Sequence, residues 1–68
     1  MQDWKKIFSN SQLATASMVA AWLHENHIEA KVMNRKDSSY VFMGEAEVYV
    51  PSILAEEAIK LIDQMQFT

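Results

Sequence analysis

The 68-residue sequence has no cysteine. Neither a disulfide nor a thiolate metal site can therefore supplement its core. Glycine and proline occur once each, as Gly44 and Pro51, so neither breaks the long stretch from Gln12 to Asn26. Basic residues are few: Lys+Arg 6 against Asp+Glu 9, a formal net charge of −3. A nucleic-acid binder normally shows a basic footprint, and none is visible overall, so nucleic acid is not an expected partner. No run approaches the roughly 20 apolar residues that span a bilayer, so no membrane is expected either. Met1 to Lys6 runs into a strand-like segment with no signal-type apolar stretch behind it, which makes the cytoplasm the expected address. Internal repeats, linkers and low-complexity segments are missing as well.

Half of the residues are apolar, which argues against disorder. The length allows one domain, residues 1–68. Below roughly 70–80 residues one core seldom supplies more than about 3–5 kcal/mol, so pairing into a homo-oligomer is an open expectation.

Trp4 to Phe8 reads as a first strand, short and loosely alternating. Ser9, Asn10 and Ser11 then stop it and offer side-chain oxygens to cap a helix. From Gln12 to Asn26 the pattern is helical, with Leu13, Ala16, Val19, Ala20 and Leu23 on one side. Met18 and Trp22, four apart, are expected to cover the flank of the core. Asn26-His27 should end the helix, since both residues tolerate the left-handed conformation better than most. Ile28 to Asn34 alternates, with Ile28, Ala30 and Val32 on one face. Glu45 to Val50 is the clearest strand: Ala46, Val48 and Val50 alternate with Glu45, Glu47 and Tyr49. Pro51 closes it, Ser52 is a candidate cap, and Ile53 to Met65 forms the second helix with Ala55, Ala58, Ile59, Ile62 and Met65 inward.

The order strand–helix–strand–strand–helix predicts an α+β fold. Its plan is ferredoxin-like β-α-β-β-α without the last strand: a three-stranded sheet of order 1-3-2 with two helices on one face. The first two strands then run the same way. Ser9, Asn10 and Ser11, opening the first helix, should share a sheet end with Arg35 and Lys36, a candidate site for a nucleotide or other anionic ligand. The first strand is left as an edge, where Lys5 and Lys6 would discourage stray pairing or a second copy could add.

Asn34 to Gly44 is the longest irregular stretch, where hairpin loops usually take about two to five residues. Asn34, Asp37, Ser38, Ser39, Tyr40 and Phe42 are candidate partner-binding residues there. Two readings stand for Tyr40 and Phe42: they anchor the hairpin, or they form an exposed contact patch. Ser38 and Ser39 after Asp37 suit a turn. His24 and His27 are three apart, but no third histidine or cysteine completes a metal site, so they read as a surface histidine and a helix cap. Glu45 and Glu47 read as carboxylates on a wet strand face. No nucleophile–base pair, metal cage or phosphate loop can be assembled, so neither an enzyme nor a cofactor is expected.

The run Ile28-Glu29-Ala30-Lys31-Val32-Met33-Asn34, then Lys36-Asp37-Ser38-Ser39-Tyr40, then Gly44-Glu45-Ala46-Glu47-Val48-Tyr49-Val50-Pro51, resembles the putative prokaryotic signal-transducing protein family. Ser9-Asn10, Ala16 and Ala55-Glu56-Glu57-Ala58 fit the same pattern, so the resemblance covers nearly the whole chain. Members look like distant relatives of the nitrogen-regulatory PII proteins, whose long hairpin loop contacts targets and whose trimers bind nucleotides. The resemblance implies a ferredoxin-like regulatory module, with residues 34–44 in the place of that loop and an unidentified protein as partner. Family members often carry glycine where His27 stands.

Overall fold

The computed structural model describes residues 3–35 and 45–65. Strand β1 is Trp4–Asn10, helix α1 Leu13–Glu25, strand β2 Lys31–Arg35 and strand β3 Glu45–Pro51. A short 3-10 turn, Ser52–Leu54, leads into helix α2, Ala55–Asp63. The sheet has the order β1-β3-β2, with β3 antiparallel to both neighbours. The α+β plan, its strand order and its two helices are those the element order predicts. One core holds the domain together, built from Ala16, Val19, Ala20 and Leu23 of α1, Ala55 and Ala58 of α2, and Ala46, Val48 and Val50 of β3.

β1 runs two residues further than its sequence pattern suggested, because Ser9 and Asn10 pair with Glu47 and Ala46. Neither they nor Ser11 caps the helix. The cap position falls on Gln12, which makes no side-chain cap bond. Asn10 instead turns the chain: its Oδ1 accepts the Gln12 N–H at 2.8 Å. The register of β1 also slips once between Lys6 and Phe8. Ile7 is the extra residue of a bulge, and both Ile7 and Phe8 pack against the core. That is why the alternation of this strand is only loose.

Helix α1 ends in a Schellman motif. The Ile28 N–H donates to the Leu23 carbonyl at 2.9 Å and the His27 N–H to that of His24 at 3.0 Å. Leu23 and Ile28, which the motif brings together, are both buried. His27, not Asn26, takes the left-handed conformation, at φ 66°. The Asn26 side chain donates to the Trp22 carbonyl at 2.9 Å. This ending shortens β2. The Ile28 N–H is committed to the cap, and both backbone groups of Ala30 face the His24 ring, so ladder pairing begins only at Lys31. Ile28 and Ala30 are buried all the same.

Two expected core positions lie further out. Leu13, in the first turn of α1, is 47% exposed and Ile59 is 43% exposed. On α2 the small Ala55 and Ala58 face the sheet, while Leu54, Leu61, Ile62 and Met65 pack around them. Ile59 is thereby turned to the flank. Met18, expected to cover the flank of the core, is 60% exposed. Trp22 does pack between the helices: its indole N–H donates at 2.8 Å to the Leu61 carbonyl near the end of α2, which also accepts the Gln64 N–H at 3.1 Å. Ser52 caps no helix through its side chain; its N–H donates to the Asp3 carbonyl at 2.7 Å.

His27→Gly should raise stability by about 0.5–1 kcal/mol, since glycine meets no Cβ penalty at this φ. Thermal melting followed by circular dichroism checks it; an unchanged or lower midpoint would contradict the cap geometry. Trp22→Phe keeps a ring but leaves the Leu61 carbonyl without the indole, and should cost about 1 kcal/mol in urea denaturation.

Candidate functional site

The sheet places Ser9, Asn10, Asn34 and Arg35 at one end. Asn10 and Asn34 both pair with Ala46, one from each side, and Ser9 and Met33 both pair with Glu47. Asn10 and Asn34 thus stand level, about 10 Å apart across one intervening strand. Helix α1 starts three residues beyond Asn10, and no side chain caps its first N–H groups. Arg35 pairs with Glu45 at the same end. Asn34 is exposed. Lys36, Asp37, Ser38, Ser39, Tyr40 and Phe42 lie outside the described residues.

The open face of the sheet, away from the helices, holds a group that sequence reasoning misplaced. Glu47 is not a wet carboxylate. It is only 4% exposed. Its place on the central strand explains this: Ser9 and Met33 flank it from β1 and β2, and two longer side chains close over it. Lys6 Nζ lies 3.3 Å from Oε2, and the Tyr49 hydroxyl donates to Oε1 at 3.0 Å. Lys6, expected as a guard on the strand edge, therefore reaches inward across the sheet. The signal that could have found this pairing is the register itself: order 1-3-2 places β1 beside β3, and Lys6 lies opposite Tyr49, two residues from Glu47.

A second contact crosses the whole sheet. The Lys31 ammonium of β2 sits 4.3 Å from the centroid of the Trp4 ring of β1. Between them, on β3, stand Tyr49, opposite Lys31, and Pro51, opposite Trp4. The face thus combines aromatic rings, an internally neutralised carboxylate and an ammonium held on a ring.

Ser9 stands beside Glu47 in the Lys6–Glu47–Tyr49 group, and the hydrogen bonds of that carboxylate given above go to Lys6 and Tyr49. His24 is occupied structurally, with Nε2 at 3.0 Å from the Ala30 carbonyl and 3.2 Å from its N–H; its tautomer decides which bond forms. Among the described residues no group of three His, Cys, Asp or Glu side chains could hold a metal ion. Nor is any helix among them long and apolar enough to cross a membrane.

A family model described as putative prokaryotic signal transducing protein matches residues 4–66. No curated protein and no solved structure matches the chain.

Removing the ammonium that neutralises Glu47 should be felt. Lys6→Met should destabilise the domain by about 1–2 kcal/mol, toward the low end because Lys6 is half-exposed. In a double-mutant cycle with Glu47→Gln, the second substitution should cost less in the Lys6→Met background than alone. Additive effects in urea denaturation would show that the two side chains are not coupled.

Proposed function

The chain belongs to the putative prokaryotic signal-transducing protein family, and we propose that it is a cytoplasmic, non-enzymatic interaction module that meets a protein partner at the end of the sheet where β2 leaves and β3 returns. The observation that carries this reading is the pairing of Arg35 with Glu45. A two-residue turn could join strands that meet so closely. The chain spends residues 36–44 there, and that segment holds Tyr40, Val41, Phe42 and Met43. Aromatic and methionine side chains are the types enriched where proteins meet. Asn34 borders the segment, and Asp37, Ser38 and Ser39 would supply polar contacts around its apolar stretch. A homo-oligomer is compatible with this use, because a core this small gains from a second copy.

A second reading has its own support. The uncapped start of α1 shares its sheet end with Ser9, Asn10, Ser11 and Arg35, and Lys36 follows in sequence. That arrangement suits a nucleotide or another anionic small molecule. Titration with nucleotides and phosphorylated metabolites, followed by amide NMR shifts, tests it; the ligand reading falls if none moves resonances at those residues.

For the first reading, changing Tyr40 and Phe42 together to alanine should abolish capture of at least one cellular partner while the NMR spectrum stays that of the folded domain. Retention of every partner by the folded double variant would overturn it.

A further inference from the structure

Charge is divided unevenly between the two layers. On the strands, Lys5, Lys6, Lys31 and Arg35 outnumber Glu45 and Glu47. On the helices, Glu25, Glu56, Glu57 and Asp63 outnumber Lys60. A chain of formal charge −3 therefore concentrates its cations on the layer whose outer face neither helix covers.

Lys6 and Lys31 are used differently there. Lys6 is committed to Glu47. The one carboxylate buried on this face among the described residues, Glu47, is thus neutralised by Lys6 and does not repel an approaching anion. Lys31 has no carboxylate within ion-pair distance among the described residues; its contact is the Trp4 ring. A ring face takes up no N–H donor in a directed bond, so the ammonium keeps its donors for an outside acceptor. Around it, Trp4 and Tyr49 are half-buried and Met33 is 49% exposed, which gives the cation an apolar surround.

We propose that this open face docks an acidic segment of a protein partner, with Lys31 as the anchoring cation. The inference rests on the interaction-module reading and names the chemistry of that partner. Complementary charge selects it: anionic side chains meet the unpaired ammonium, and their apolar neighbours meet Met33, Trp4 and Tyr49. A nucleic acid fits less well. It brings a phosphate at every nucleotide, whereas among the described residues the middle of the face offers one lysine without a carboxylate partner, Lys31.

The test selects short random peptides displayed on phage against the intact domain, then maps the synthesised winners by amide NMR. Enriched peptides should carry several Asp or Glu beside apolar residues, shift Trp4, Lys31, Met33 and Tyr49, and weaken as salt rises. Lys31→Glu should weaken them about tenfold or more, and Lys60→Glu, on the helix layer, should leave them unchanged. The proposal is overturned by peptides without acidic bias, by shifts confined to the helices, by equal binding to Lys31→Glu, or by oligothymidylate shifting the same residues at lower concentration. A cellular partner lost with the Tyr40 and Phe42 double variant but kept by Lys31→Glu would sink this docking face and leave the interaction module standing. Retention by both would remove the two together.

Discussion

Everything in this domain is registered on β3. It is the strand with a paired neighbour on each side, and its alternation divides the molecule in two. Ala46, Val48 and Val50 face inward and reach complete or near-complete burial. Glu47 and Tyr49 face the open side, where Lys6 closes over the carboxylate. A slip of one residue in this strand would put valines into water and the carboxylate into the core. The central strand therefore determines both the hydrophobic layer and the chemistry of the exposed one.

The end of α1 is the second constraint. The Schellman motif uses the N–H of Ile28, and the His24 ring engages Ala30, so three residues that alternate like a strand are spent on leaving the helix. The burial of Ile28 and Ala30 follows their alternation even though their backbone pairing does not. Burial is decided by which side of the chain faces the core; ladder pairing depends on where the backbone donors and acceptors have already been used.

These cases show how far the residues could be read in advance. Periodicity located α1, β3 and the inward sets Ala16-Val19-Ala20-Leu23 and Ala46-Val48-Val50, because those patterns are local. It could not find the bulge at Ile7, the His24–Ala30 contact or the burial of Glu47. Each depends on a partner elsewhere in the chain, six residues away for His24 and 41 for Lys6 and Glu47. The candidate corner was legible in part: topology alone puts Asn10 and Asn34 at one end of the sheet, but Asn10 serves the turn into α1 rather than capping it. Net charge misled in another way. A total averages over the molecule, and here it conceals the separation of a cationic strand layer from an acidic helix layer.

The two tryptophans of the chain lie in separate environments. Trp4 is on an edge strand under the Lys31 ammonium, on the open side of the sheet. Trp22 is wedged between the helices with its indole N–H on the Leu61 carbonyl. Light emitted by the first depends on what happens at the outer surface, and light emitted by the second depends on whether the helices stay together. The protein thus carries two tryptophan fluorophores on opposite sides of one sheet, and replacing either with phenylalanine leaves a tryptophan probe of a single event.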